Sequence, residues 1–147
     1  MGLWTAKTTI TALPADVLAQ LTSPDAISRW APVPFDVVDW EGERLRAGER
    51  VRVQGQLAGR KVEFEVDVAE ADDDHLVLTA TGPIRLDVEY HALPAVSGSE
   101  LQASVHVSGR GLFGRFLAQA TDALLAAGAL RAAVDRLAQE CEPALAV

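Results

Sequence analysis

The chain has 147 residues, one cysteine and a formal net charge of -8 at pH 7. This length suits a single domain over residues 1–147 with its own hydrophobic core, and the lone Cys141 excludes an internal disulfide and a CxxC motif. The acidic balance disfavours nucleic acid and anionic membrane surfaces as partners, because both are bound through basic surfaces.

The N-terminal residues predict no export signal. Met1 to Trp4 run directly into an alternating segment, without a basic stretch followed by an apolar block. No apolar run is long enough to cross a bilayer. We therefore expect a soluble cytoplasmic protein without stable membrane insertion; the sequence sets no oligomeric state.

The first elements are a strand and two short helices. Trp4–Ile10 alternates in polarity and is rich in threonine, which predicts a strand. Apolar residues at helical spacing predict a helix over Pro14–Leu21, with proline in its first turn. Ser23 and Pro24 are typical of the start of a second short helix, which we expect to end near Trp30.

Six further strands follow, separated by short turns rich in glycine, proline and aspartate. They are predicted at Phe35–Trp40, Glu49–Leu57, Lys61–Glu70, His75–Thr81, Ile84–Leu93 and Leu101–Ser108. Alternation with one charged side indicates that each strand has one wet face and one buried face. The short connections favour an antiparallel sheet.

The last part of the chain predicts one long helix, from Leu112 to about Glu142, which would span about eight turns. It is the only element long enough to cover the buried face of the sheet. The small residues around Gly128 remove side-chain bulk from its middle, and missing bulk where a helix crosses a sheet leaves space. This is the first indication of a cavity.

This order of elements resembles the helix-grip architecture of the START-like (SRPBCC) superfamily and, more narrowly, the bacterial polyketide cyclase/dehydrase and lipid-transport family. The matching segments, spread over essentially the whole chain, are Ala15–Val17, Leu21–Pro24, Ile27–Trp30, Gly48, Gly82-Pro83, Tyr90 with Leu93-Pro94, Gly98–Leu101 and Gly114-Arg115. The resemblance implies an α+β fold in which a seven-stranded curved antiparallel sheet wraps around the C-terminal helix. It also implies a ligand cavity between helix and sheet, entered near the short helices.

Strand parity predicts which side chains reach that cavity. With the apolar parity taken as inward, the pocket side is almost wholly hydrocarbon, and the ionisable groups of the strands point to water. The candidate ligand-binding residues are Trp30, Phe35, Phe64, Val66, Leu78, Leu86, Val88, Tyr90, Val105, Phe113, Phe116, Leu117 and Leu124. Most of these side chains would also suit a solid core.

No catalytic residue is assigned from the sequence. Asp87 and Glu89 form a spaced carboxylate pair, but they share a face with Arg85 and His91 and are expected to be solvated. A β-bulge could reverse this parity locally.

Histidine spacing likewise predicts no metal site. His75, His91 and His106 show no zinc-ligand spacing on one element, and each is expected at the surface. The sequence has no nucleophile elbow, P-loop or dinucleotide fingerprint, so no cofactor is predicted.

Tyr90 is the polar group of most interest on the inward parity. It is interpreted either as a core tyrosine bonded to a carbonyl or water, or as a hydrogen-bond donor to a ligand, with acid catalysis as a third role. The leading hypothesis is binding or transport of a small hydrophobic molecule of lipid, polyketide or isoprenoid type. A polyketide aromatase/cyclase is the enzymatic alternative. A protein-interaction module ranks last, because no exposed apolar patch is apparent.

Overall fold

The computed structural model describes residues 2–23, 35–38, 44–57, 59–96 and 98–141. Its elements are β1 (Leu3–Ile10), α1 (Pro14–Leu21), β2 (Phe35–Val38), β3 (Arg50–Leu57), β4 (Arg60–Ala71), β5 (His75–Thr81), β6 (Arg85–Ala95), β7 (Gly98–Ser108), α2 (Gly111–Ala126) and α3 (Ala129–Cys141). The second short helix predicted to end near Trp30, and the strand end predicted at Trp40, lie outside the described residues.

Seven strands form one antiparallel sheet in the order β1-β7-β6-β5-β4-β3-β2. Strands β2 to β7 are neighbours in chain order, as expected of strands joined by short connections. β1 joins the sheet against β7, from Leu3 opposite His106 to Ile10 opposite Ser99. The curved sheet with its late helical segment confirms the expected α+β helix-grip fold.

One face of the sheet, which we call the concave face, carries the hydrophobic core. Val51 and Val53 on β3 lie opposite Val66 and Phe64 on β4, and all four side chains are buried. The alternate residues form exposed ion pairs on the convex face, such as Arg50 Nε at 2.8 Å from Asp67 Oδ1. The alternating pattern therefore predicted correctly which side of these strands is buried.

The late helical segment is interrupted, contrary to the expected single helix. α2 ends at Ala126, and Gly128 has a φ of 98°, a left-handed conformation that glycine adopts at little cost. The amide of Ala127 donates to the Ala123 carbonyl over 3.0 Å and closes the last turn. The sequence pattern treated Gly128 as a tolerated interior residue, whereas it separates α2 from α3.

The two parts of this segment cover different regions. α2 contacts β7 and β3, and its buried side consists of Gly114, Leu117, Ala118, Thr121 and Leu125. α3 packs on β1 and α1. Neither of them, nor α1, combines the length and apolar character that crossing a bilayer demands.

Candidate functional site

A row of six cross-strand neighbours runs across the middle of the concave face, and we call it the central row. Register places its members opposite one another in turn: Trp4, Val105, Val88, Leu78, Val68 and Glu49. Strands lie about 4.8 Å apart, so each step along the row is one strand spacing. The row extends from β1 at one edge of the sheet to the residue that precedes β3.

Leu78 and Val88 leave an accessible apolar patch at the centre of this row. Both side chains are only half-buried, although they occupy inner strands and face the core side. Along β6 the flanking concave residues, Leu86 and Tyr90, are 7% and 2% exposed. Along β6 the concave face is therefore covered more completely on both sides of Val88 than at Val88 itself.

Glu49 stands at the far end of the central row because of a β-bulge. Gly48 and Glu49 share one partner on β4: the Gly48 amide donates to the Val68 carbonyl over 2.8 Å, and the Val68 amide donates to the Glu49 carbonyl over 2.9 Å. Gly48 has a φ of 85°, which suits the glycine that begins this type of bulge. The bulge leaves Glu49 on the parity of Val51, toward the concave face.

The Glu49 carboxylate is the main departure from the expected uncharged interior. Its Oε2 atom is buried and has no hydrogen-bond partner in the described part of the chain, while the side chain as a whole is half-buried. The prediction that ionisable groups of the strands point to water was therefore wrong at this position. The signal was present, since Glu49 shares its parity with Val51 and Val53.

A second carboxylate meets the opposite end of the row. The indole Nε1 of Trp4 donates a hydrogen bond of 2.7 Å to Asp122 Oδ1, which ties β1 to α2. Burial opposes ionisation of Asp122, but the favourable interactions of the carboxylate, of which the Trp4 hydrogen bond is the largest, together outweigh it, so the pKa lies below its usual value. Asp122 is thus an ionised acceptor with a resident partner.

The four residues of α2 that were predicted to line the pocket differ in burial. Leu117 is fully buried, whereas Phe113, Phe116 and Leu124 are 49%, 53% and 41% exposed. Arg60, at the start of β4, extends over the Phe113 ring at 5.5 Å from its centroid. These exposed side chains form an apolar surface on α2, although the sequence indicated no such surface.

Most strand residues predicted for the pocket lie on the concave face. Phe64, Val66, Leu86 and Val105 are at most 7% exposed there. Phe35 lies on β2 opposite Gly55, with its side chain outside the described part. Trp30 also lies outside the described residues, so its predicted role at the pocket rim stays a prediction.

Tyr90 is enclosed in the core. It lies between Leu76 on β5 and Ala103 on β7 and is 2% exposed. Burial raises the pKa of its phenol far above the usual value. The phenol therefore stays protonated near neutral pH and is a poor proton donor in catalysis, since an effective acid titrates near the working pH.

Asp87 and Glu89, the spaced carboxylates that were predicted to face solvent, lie on the convex face. Asp87 accepts hydrogen bonds from Arg85 Nη2 and Thr79 Oγ1, both at 3.1 Å. The Arg85 hydrogen bond lowers the Asp87 pKa, against a smaller effect of burial. Glu89 bonds His91 on the same face. Both carboxylates thus have partners on the convex face, away from the concave side.

Two of the three histidines, each of which was predicted to lie at the surface, form a stacked pair. His75 and His91 are cross-strand partners, with ring centroids 5.5 Å apart and an interplanar angle of 14°. His75 Nδ1 lies 2.7 Å from Asp74 Oδ1, and its Nε2 lies 2.8 Å from Glu70 Oε2. Carboxylates at both ring nitrogens favour the imidazolium and raise the His75 pKa, chiefly through Asp74.

Residues of the types that bind metals also lie close together at the turn between β4 and β5. Ligand atoms of Asp72, Asp74 and His75 lie within 4.8 Å of one another, the one such group among the residues that the structure describes. Ion pairing between the imidazolium and the carboxylates accounts for this arrangement without a metal. The group is on the convex face, away from the central row.

Comparison with known sequences gives one family. The sequence model described as polyketide cyclase / dehydrase and lipid transport matches residues 1–142. No curated protein matches the chain.

Solved structures share the fold along nearly the whole chain. TTHA0849 from Thermus thermophilus is 19% identical with a TM-score of 0.69, over 95% of this chain and 97% of the other. Protein CV1439 from Chromobacterium violaceum is 16% identical with a TM-score of 0.68, over 96% and 97%. Ara h 8.0201 is 12% identical with a TM-score of 0.64, over 95% and 97%. At these identities the likeness concerns the fold alone.

Proposed function

This chain belongs to the polyketide cyclase/dehydrase and lipid transport family, and we propose that it binds a small hydrophobic molecule of lipid, polyketide or isoprenoid type against its concave face. The observation that carries the proposal is the half-buried pair Leu78 and Val88 at the centre of the core side. Covering these apolar side chains with a ligand removes their surface from water, which favours binding.

Affinity would come mainly from burial of hydrocarbon. Removal of apolar surface from water contributes about 25 cal/mol per Å². The residues beside the patch, Val68 and Val105, are 2% and 4% exposed and provide a well-packed apolar surround. Ligand sites are typically apolar surfaces of this kind with few polar groups.

The surroundings of Tyr90 support binding over an aromatase/cyclase reaction. A cyclase needs an acid or base that can exchange protons with its substrate. The Tyr90 phenol, which was the candidate acid, is 2% exposed and has a raised pKa. Its environment is that of a core residue.

A bulk-adding variant tests the proposed site. Val88→Phe would fill space above the central patch, so the affinity for the neutral dye Nile red should fall about tenfold, as expected when a ligand loses one or two apolar contacts of about 0.8 kcal/mol each. Fluorescence titration of the full chain measures the dissociation constant. The matched control is Val77→Phe, which adds the same bulk to the half-buried convex residue beside Leu78.

The two variants separate a site on the concave face from dye adsorption elsewhere. The control should bind Nile red as the wild type does. Equal loss in both variants, or no dye binding by the wild type, contradicts the proposal. Circular dichroism checks that both variants are folded, because overpacking destabilises cores by about 1–3 kcal/mol.

A further inference from the structure

We propose that Glu49 is the polar anchor of this ligand site, and that the ligand is an apolar molecule carrying a hydroxyl group. The hydroxyl donates a hydrogen bond to the buried Oε2 atom of Glu49. The inference rests on the proposed function and adds the chemical class of the ligand.

The first support is position. Glu49 lies two strands from Leu78 along the central row, with Val68 between them. Two strand spacings are about 10 Å. A two-ring aromatic molecule or a hydrocarbon of similar length spans this distance, and because Val68 is 2% exposed, the side chains that cover it must move aside for the hydroxyl to reach the carboxylate.

The second support is the unmet hydrogen-bonding capacity of the carboxylate. Oε2 is buried without a partner in the described residues. A carboxylate oxygen taken out of water without a hydrogen bond lowers stability, and a ligand donor restores what the oxygen lacks. Asp122, by contrast, already accepts the Trp4 hydrogen bond.

The third support is that nearby arginine side chains bond to other residues. Arg50 bonds Asp67 and Arg52 bonds Glu63, both on the convex face. Arg44 donates to Thr22 Oγ1 over 3.0 Å. These three arginines thus have other partners, so a donor from the concave side is the chemistry that Glu49 lacks.

The bulge explains how the carboxylate is held there. Gly48 and Glu49 are fixed by two backbone hydrogen bonds to Val68. Bulges are frequent beside functional sites, where they aim a side chain. Glu49 is therefore presented by a constrained backbone rather than by a free loop.

A pair of probes tests the hydroxyl specificity. 2-Naphthol and 2-methoxynaphthalene have the same apolar body, and only 2-naphthol donates a hydrogen bond. Isothermal titration calorimetry measures both dissociation constants with the full chain at pH 7. The variants are Glu49→Met, which removes the acceptor at similar length, Glu49→Gln, which keeps a neutral acceptor, and Glu65→Gln as the control on the exposed convex face.

The expected result is selective. Glu49→Met weakens 2-naphthol binding about tenfold to a hundredfold, the range of a hydrogen bond to a charged group, and leaves 2-methoxynaphthalene within about twofold. Glu49→Gln gives an intermediate loss, because a neutral acceptor binds a donor less strongly. The Glu65→Gln control binds both probes as the wild type does.

Two other outcomes overturn the inference and differ in meaning. If the wild type binds both probes and Glu49→Met weakens neither, or weakens both equally, Glu49 is no anchor and the hydrophobic site stands. If the wild type binds neither probe nor Nile red, the proposed function fails and the anchor fails with it.

Thermal unfolding of the ligand-free variants distinguishes a ligand anchor from a structural residue, because the two roles change the Tm in opposite directions. Removal of an unpartnered buried carboxylate should raise the Tm of Glu49→Met by about 3 °C, the shift that roughly one hydrogen bond's worth of stability gives at this chain length. A lower Tm would mean that Glu49 stabilises the fold, and this result overturns the inference.

Discussion

Among single residues, Asp122 links the helical cover to the first strand through the Trp4 indole. Asp122→Ala should lower the free energy of unfolding by about 1–2 kcal/mol at pH 7, because the half-buried Nε1–H loses its charged acceptor. The lowered pKa means that this stabilisation is present above 3.8 and is lost as the pH falls through the folded-state pKa. Urea unfolding at pH 7 and pH 3 checks both parts.

The control for this prediction is Asp135→Ala on α3. Asp135 forms an exposed ion pair with Arg131 at 3.5 Å, and exposed pairs contribute at most about 1 kcal/mol. Its removal should change the stability less than removal of Asp122. An equal loss in the two variants would contradict the assigned importance of the Trp4 bond.

His75 makes a second prediction at this scale, through its hydrogen bond to Asp74. The raised pKa means that the stabilisation by this pair is present below the unfolded value of 6.5 and is lost as the pH rises through the folded-state pKa. NMR titration should place the His75 pKa above 6.5, and Asp74→Asn should lower it. Asp73→Asn, which removes a neighbouring exposed carboxylate, should shift it less.

At the scale of elements, the break between α2 and α3 predicts that replacing its glycine by alanine destabilises the protein, whereas the same change inside a helix usually stabilises it. Gly128→Ala in a continuous helix would stabilise the protein by about 1 kcal/mol. Here φ is 98° with open space around the added Cβ, so left-handed strain should instead destabilise it by about 1 kcal/mol. Chemical denaturation measures the sign, and a more stable variant would indicate one unbroken helix.

The strands were largely predictable because the alternation of apolar and polar residues along each strand follows the alternation of buried and exposed positions. His75–Thr81 was predicted with the bounds that the structure shows, as was the helix Pro14–Leu21. The break at Gly128 was not predicted, because the apolar spacing continues through it and only the backbone angle reveals the turn.

The candidate site was predictable only in its apolar part. Parity placed Leu78 and Val88 on the core side, where the structure has them. Parity could not tell which core residues keep accessible surface, since that depends on which other parts of the chain cover each position of the sheet. Glu49 was missed although it shares the parity of Val51, because only the apolar residues of that parity were taken to face inward.

For the whole molecule, charge and hydrophobic surface are distributed differently from what composition alone suggests. Ion pairs such as that of Arg52 with Glu63 occupy the convex face, while the concave side ends in Glu49 and Asp122. The apolar surface of α2 also means that a chain with net charge -8 carries exposed phenylalanines. Net charge therefore bears on the solubility of the protein, whereas the positions of individual charged and apolar side chains determine what it can bind.

The pairing of β1 with β7 has a consequence for biosynthesis. Leu3 finds its partner His106 only after more than a hundred residues have left the ribosome, and contacts so distant in sequence form slowly. The first strand must wait as an unpaired, threonine-rich ribbon while the later hairpins assemble. We expect β1 to dock only after the hairpins of β2 to β7 have formed, and to remain open to proteases and chaperones until then.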